Sequence, residues 1–435
     1  MFRKFFIAKV SMVAMLCMVI GIRSNAQTTD ALGTYTPYSL FGLGDIEKSG
    51  TAVNKGMGGI GVGVRDNRII NYVNPASITE RDTLSFMLDF GLSQKNFYNT
   101  NGDADGAFNT AGMHNFVFTA PIYKKSALIV GISPFSNIGY KFREKETDVN
   151  LIAKYGDITY EKYGTGSISQ LFFGGAVNLA PSLSVGAEAI YYFGALNRNS
   201  NVLFGTDFSI RDIMTGWDYD MSAMGARVGM QYFNEVAANT VLTVGATYRF
   251  AAELDGNYSR VASVQMNGVA VDTVMMESYD NYKVEIPSEI AVGFSLRKKD
   301  KWLIGFDYTR QDWKGSFFGE TPGVDFKPET SSSFKFGIEF IPNRYDIRYY
   351  LKRATYRFGA YYDKSYINIG GNQVNSAGVT FGMSLPIFRW NNSLSWSVDL
   401  GQRGSLDNGM VRERYVQLNI NMNLHDMWFI KRKYN

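Results

Sequence analysis

The feature that most constrains this chain is a two-residue alternation that begins near residue 83 and recurs to the C-terminus. Leu84, Phe86, Leu88, Phe90 and Leu92 share one face of an extended strand, while Ser85, Asp89, Gly91 and Ser93 share the other. Leu242, Val244, Ala246, Tyr248 and Phe250 repeat the pattern against Thr243, Gly245, Thr247 and Arg249. The last run is among the cleanest: Val416, Leu418, Ile420, Met422 and Leu424 oppose Gln417, Asn419, Asn421 and Asn423. Alternation over about ten residues, repeated along a chain, marks a transmembrane β-barrel with apolar side chains toward lipid and polar ones toward the lumen. After the first 26 residues there is no apolar stretch of about 18, so helical membrane spans are excluded.

Spacing predicts strand centres near residues 88, 118, 130, 173, 187, 228, 246, 292, 306, 337, 358, 381, 397 and 418, hence about 14 antiparallel strands. Connections alternate in length. Short turns are expected at 123–125, 180–182, 234–239, 298–300 and 388–392, with 342–353 the longest of that set. Long polar loops are expected at 96–111, 137–163, 197–219, 252–284, 312–330 and 364–373, with 404–409 a short exception. Outer-membrane barrels keep their short turns in the periplasm, which puts both termini there. A soluble β-sandwich alternates similarly. It is disfavoured by the alternating loop lengths, the polar second face and the lack of disulfides.

Residues 1–26 read as a secretory signal: Arg3, Lys4 and Lys9, an apolar run from Val10 to Ile22, then Ser24-Asn25-Ala26. This segment holds four basic residues and no carboxylate, so its loss brings the net charge of +4 to zero. It also holds the sole cysteine, Cys17, whose setting lacks a lipoprotein box. Nothing in the charge balance points to nucleic acid as a partner. Residues 27–82 do not alternate and are punctuated by glycine, including Gly42, Gly44, Gly50, Gly56, Gly58, Gly59, Gly61 and Gly63. They are expected to form a hatch or plug in the lumen, followed by the barrel at 83–425 and a periplasmic cap at 426–435.

Lys55-Gly56-Met57-Gly58-Gly59-Ile60-Gly61-Val62-Gly63-Val64, then Asn71-Tyr72-Val73-Asn74-Pro75-Ala76-Ser77-Ile78, resembles the N-terminal hatch of the FadL-type outer-membrane transporters of long-chain fatty acids and other hydrophobic compounds. The opening Tyr35 to Asp45 and the ending Trp428 to Lys433 resemble the Bacteroidetes branch of that family. The resemblance implies a 14-strand barrel in the outer membrane of a Gram-negative bacterium, inserted by barrel-assembly machinery and surrounded by outer-membrane lipid. It also implies passive uptake of a hydrophobic or amphipathic cargo, with hatch movement at Asn74, Pro75 and Ala76 and a sideways exit through the wall. Ser77-Ile78 departs from the usual Gly-Leu after this motif. The same branch includes PorV-type barrels, so docking to secretion-system proteins is the alternative function.

Candidate residues follow. Asn74-Pro75 is alternatively a plain turn, because proline fixes φ and biases its predecessor to extended geometry. Pro134, after Ser133, interrupts the third strand, since proline cannot donate to a ladder. By resemblance it marks an inward kink and a lateral opening; otherwise the strand ends there. Phe135, Phe172 and Tyr192 are candidates to line the cargo path. Arg227 and Arg249, on neighbouring strands, either hold a carboxylate headgroup or pair with inward carboxylates such as Glu188, Asp307, Glu339 and Asp399. Gly56 to Gly61 formally matches a dinucleotide fingerprint but lacks the βαβ context. Asn101 to Gly106 resembles half a calcium loop without its final glutamate. The two histidines, His114 and His425, come with no serine–acid set, so no catalysis, metal or cofactor is expected.

Overall fold

The computed structural model describes residues 33–81, 85–102, 104–123, 125–205, 211–266, 269–316, 318, 324–387, 392–407 and 410–427. The signal segment, Cys17 and residues 428–435 of the expected cap lie outside them. The fold is a closed antiparallel barrel of 14 strands. In chain order these are β1 (Ser85–Asn101), β2 (Ala104–Tyr123), β3 (Ser126–Lys145), β4 (Ile158–Ala180), β5 (Leu183–Phe204), β6 (Asp212–Ala237) and β7 (Thr240–Arg249). The circuit continues with β8 (Glu289–Lys298), β9 (Trp302–Asp312), β10 (Thr330–Phe340), β11 (Thr355–Ile369), β12 (Asn372–Pro386), β13 (Ser393–Arg403) and β14 (Arg412–Met427). β14 closes on β1 from Met427 opposite Ser85 to Arg412 opposite Thr100. Closure pairs the edges of β14 and β1 with each other, the condition a sheet must meet in hydrocarbon. No helix among the described residues is long and apolar enough to cross a membrane.

Each expected strand centre falls within its own strand. Most of the long loops do not match their expected form, although 313–316 and 324–325 are irregular as expected. Residues 96–111 and 197–219 are mostly strand, and β3 and β4 continue into 137–163, where a short helix, Val149–Tyr155, joins them. Residues 252–284 belong to a hairpin, Ala252–Met266 with Val269–Ile286, that continues β7 and β8 upward and pairs with β6. Residues 364–373 are the ends of β11 and β12 joined by a tight turn at Gly370-Gly371. The reason is physical. Above the bilayer both faces of a strand meet water, so the alternation disappears while the backbone ladder continues.

Alternation sets direction. Phe90, Phe173, Val228, Ile290, Phe294 and Phe358 are exposed on the outer face. Asp89, Glu188, Arg227, Asp307, Glu339 and Asp399 are buried on the inner one. Residues 51–80, here called the slab, lie against that inner face. The slab contains the turn Ala52–Lys55 and the 3-10 helix Pro75–Thr79. Its backbone approaches the wall closely because the wall carries inward glycines. A Cβ on Gly359 would strike Gly58 N, one on Gly245 would strike Val62 O, and one on Gly186 would come within 2.6 Å of Pro75 C. Gly305, Gly337 and Gly359 are direct cross-strand neighbours on β9, β10 and β11. Gly58 itself has φ of +69°, which glycine alone adopts without strain.

Polar bonds complete the seat. Asp307 Oδ2 accepts from Gly61 N at 2.6 Å and Val62 N at 2.8 Å. Asn421 Oδ1 accepts from Ala52 N at 2.9 Å. Arg68 bridges Asp66 and Glu339, which also engage Arg297, and Arg357 reaches Glu339 at 2.9 Å. Such a network is costly to break, because any lost partner leaves a buried charge uncompensated.

Candidate functional site

The wall is not paired evenly. β2 and β3 are laddered from Tyr123 opposite Ser126 up to Phe116 opposite Ile132, and among the described residues the pairing stops there. Above that point β3 continues against β4 and β2 continues against β1. Two bulges stand where the strands part. On β3, Pro134 pairs with Ser169 and Ser136 with Ile168, which leaves Phe135 as the extra residue. On β2, Asn115 pairs with Gly91 and Met113 with Leu92, which leaves His114 extra. Bulges bend a strand and re-aim its side chains. Each bulge here puts two successive side chains inward, Phe135 with Ser136 and His114 with Asn115, and all four are buried.

The seam is occupied from inside by residues 34–50. Ile46 and Asp45 pair with Ser136 and Asn137 on the free edge of β3. Thr36 N donates to Gly139 O at 3.0 Å, and Glu47 N to Phe135 O at 2.9 Å. On the other side the Tyr35 ring stacks on Phe108 of β2 at 3.9 Å. The same segment reaches across the lumen, where Asp45 pairs with Arg403 at 2.8 Å and Lys48 lies 3.5 Å from both Asp363 and Asp399.

Beside the seam the sequence candidates meet. The Phe135 ring packs edge-on against Tyr192 at 5.1 Å, and the Arg249 guanidinium lies 5.4 Å from Phe135. Phe172 stacks on Tyr72 of the slab at 5.4 Å, in space left by Gly131. Arg227 and Arg249 are direct cross-strand partners, yet each has its own carboxylate. Arg227 Nε donates to Glu188 at 2.6 Å, and Arg249 lies 3.3 Å from Glu289. Three buried polar atoms here lack a hydrogen-bond partner among the described residues: Tyr192 OH, Arg249 Nε and Glu188 Oε2. Ser133 accepts from Gln170 at 3.0 Å and supports the bulge. The surroundings are apolar, with Ile138, Ile168, Ile190, Leu196 and Met221 in one buried cluster. Across the seam, on β1, β2 and β14, the surroundings are polar. There Asp89 accepts from Asn115 and Asn421, and His114 Nε2 is 2.7 Å from Asn421 Oδ1.

Asn74-Pro75-Ala76 lies away from the seam. Asn74 caps the 3-10 helix by accepting from Ala76 N at 3.0 Å, and its amide donates to Val62 O at 2.9 Å. Pro75 abuts Gly186 and Gly229, and Ser184 donates to Ala76 O at 2.7 Å. Ser77, at the departure from the FadL pattern, donates to Asn71 O at 2.6 Å, while Ile78 is buried. Sequence reasoning missed the His114 bulge, Glu289 and the role of residues 35–47. Of the sequence candidates, Pro134 with its neighbours Ser133 and Phe135 falls at the β3 bulge.

The BamG family model matches residues 1–435. The chain belongs to the BamG family. In fold, this BamG-family barrel is similar to solved FadL-family outer-membrane channels. The Pseudomonas putida toluene transporter TodX is 15% identical, with 88% of this chain and 99% of that one covered at a TM-score of 0.59. A Pseudomonas aeruginosa FadL homologue is 12% identical over 88% and 99%, also at 0.59. The Ralstonia pickettii toluene transporter TbuX is 16% identical over 86% and 98%, at 0.57. No curated protein sequence matches the chain. The BamG-family barrel is a multi-pass protein of the outer membrane.

Proposed function

We propose that this barrel passes hydrophobic or amphipathic small molecules, long-chain fatty acids among them, across the outer leaflet and releases them sideways through the β2–β3 seam. The observation that carries the reading is the coincidence of an unladdered seam with a buried apolar site at Phe135, Phe172 and Tyr192. Cargo enters from the tall hairpins, rests among those rings, and leaves when residues 34–50 lift from the β3 edge. The slab, including Asn74-Pro75-Ala76, stays seated, because wall glycines meet its backbone with no room to slide. The short turns and both termini face the periplasm, in keeping with barrels of this class. The resolved neighbours named for toluene transport support a hydrophobic cargo in general terms.

Uptake of radiolabelled oleate and toluene by cells whose own channel of this kind is deleted tests the reading. Expression of the full chain should raise the initial rate about tenfold for at least one of them, in the range a gating step controls. An unchanged rate with correctly folded barrel overturns it.

A second reading has its own support. The BamG family name points to a relationship with outer-membrane barrel assembly, and docking to assembly or secretion proteins suits the high wall formed by β3 to β6 and the hairpin. Purification from the native membrane separates the two. Bound lipid-like molecules favour the channel, and protein partners in fixed stoichiometry favour docking.

A further inference from the structure

At the short-turn end, most connections are a few residues long, but Ile341 to Ala354 forms a built loop between β10 and β11. Asp346 organises it by accepting from Tyr349 N at 2.6 Å and Arg348 N at 2.9 Å. Those amide bonds hold the Asp346 carboxyl below the usual carboxylate range. Asn343 N donates to Lys352 O at 2.9 Å, and Arg344 pairs with Asp300 of the neighbouring turn at 2.5 Å. The fixed loop nevertheless displays apolar side chains: Ile347 is fully exposed, Tyr345 72% and Leu351 60%. It also runs beside the outer wall. Tyr356 donates to Leu351 O at 3.0 Å and Tyr350 to Pro386 O at 2.7 Å. Tyr356 sits level with Phe340 and Met383, and Phe340 with Trp302, on adjacent strands.

Charge gives the second half of the argument. The loop and the adjacent turn carry Lys298, Lys299, Lys301, Arg344, Arg348, Lys352 and Arg353 against only Asp300 and Asp346. Both carboxylates are already engaged, by Arg344 and Lys352. Arg348, Lys298 and Lys299 have no ion pair among the described residues. At the opposite end, the hairpin Ala252–Met266 with Val269–Ile286 carries six carboxylates and only Arg260 and Lys283 as cations. Aromatic and basic side chains together at a barrel rim are what an interface of headgroups favours.

We infer that residues 342–354 and the 298–301 turn bind the phosphate headgroups of anionic phospholipid in the adjoining leaflet, with Ile347 and Leu351 set among the acyl chains. The inference rests on the barrel spanning a membrane and is independent of the transport proposal. The full-length protein, delipidated in neutral detergent, is incubated with phosphatidylglycerol or phosphatidylcholine, and bound lipids are counted by native mass spectrometry. Phosphatidylglycerol should be retained about fivefold or more over phosphatidylcholine, the increment expected from even one surface cation. Arg348→Ser with Lys298→Ser, Lys299→Ser, Lys301→Ser and Arg353→Ser should bring the ratio near one while heat-modifiability stays unchanged. Arg348→Ser alone, at an exposed side chain, guards against a folding defect and should lower the ratio in part.

Inorganic phosphate and glycerol phosphate should not displace the lipid at millimolar concentration. Displacement would make this a soluble-phosphate site and overturn the lipid assignment. A photo-crosslinker at position 347 in cells should give lipid adducts. A discrete protein adduct there would overturn the inference, as would equal retention of both lipids.

Discussion

The slab and the seam segment are consecutive in sequence and both buried, yet they are held in different ways. Residues 51–80 are seated by backbone against backbone, through wall glycines, and by an ion network that includes Asp66, Arg68, Arg297, Glu339 and Arg357. Residues 34–50 are held by a two-residue strand pairing and two further backbone bonds to β3, by Tyr38, Phe41 and Leu43 in the buried apolar cluster, and by side-chain bonds to facing strands. Water can replace the hydrogen bonds and ion pairs of the second set, whereas nothing replaces a close backbone fit without opening a void. The proposed function assigns movement to the second stretch and leaves the first seated.

The sharpest way to break that comparison is to crowd the slab. In Gly359→Val the new side chain meets Gly58 N, and neither backbone can retreat. Overpacking of this kind costs about 1–3 kcal/mol where side chains can adjust, and more where they cannot. The expected result is loss of the folded, heat-modifiable band on a gel. A folded variant with normal uptake would mean that the slab moves freely.

A smaller loss is expected for Asp307→Ala. Two buried amides, Gly61 N and Val62 N, lose their acceptor together. Leaving buried donors unsatisfied costs roughly 1–3 kcal/mol each, so the unfolding free energy measured with denaturant in micelles should fall by about 2–6 kcal/mol. Asp307→Asn, which keeps one acceptor, should recover part of it. Equal stability of all three forms would show that the slab is not seated by these bonds.

The seam segment is tested by fastening it. Ile46 and Ser136 are direct antiparallel partners, at a spacing a disulfide can span, so Ile46→Cys with Ser136→Cys should close on oxidation. The sole natural cysteine, Cys17, lies in the expected signal, which leaves the background clean. Oxidation should cut oleate uptake about tenfold, with recovery on reduction, as for any step that gates a rate. Thr79→Cys with Ser184→Cys pins the slab instead, at hydroxyls 2.8 Å apart, and should change uptake by less than about twofold. The reverse outcome would transfer the gate to the slab.

How much of this was legible follows from what each residue faces. Val416 to Leu424 alternates because lipid is on one side and the polar lumen on the other, and every expected strand centre rests on that contrast. Ser200 or Val264 carries no such contrast, because both faces of the tall hairpins meet water, so a strand there reads as a loop. Pro134 marked an irregularity because its chemistry is local, and the structure has a bulge there with the strand continuing to Lys145. The His114 bulge did not, since an extra residue in a ladder is defined by its partner strand, Gly91 with Leu92, nearly 25 positions away. The glycine belt was visible only as composition: Gly245 and Gly359 gain meaning from Val62 and Gly58, far apart in the chain. Arg227 and Arg249 were readable as inward cations, and the carboxylate that Arg249 uses, Glu289, was not.

The smallest effect expected is the most specific. Tyr192 is fully buried beside Phe135, and its hydroxyl has no partner among the described residues, like the nearby Arg249 Nε. An unpaired buried hydroxyl does not stabilise the empty barrel, so Tyr192→Phe should leave thermal stability unchanged or raise it by up to about 1 kcal/mol. A cargo with a polar head would satisfy that hydroxyl, and its loss removes one hydrogen bond of about 0.5–1.5 kcal/mol. Oleate affinity should therefore fall about two- to tenfold, while toluene, which offers no comparable group, should bind as before. Parallel loss for both would assign the residue to packing alone. A large destabilisation of the empty protein would mean that the hydroxyl already has a partner, and would remove the reason to place a polar head at this site.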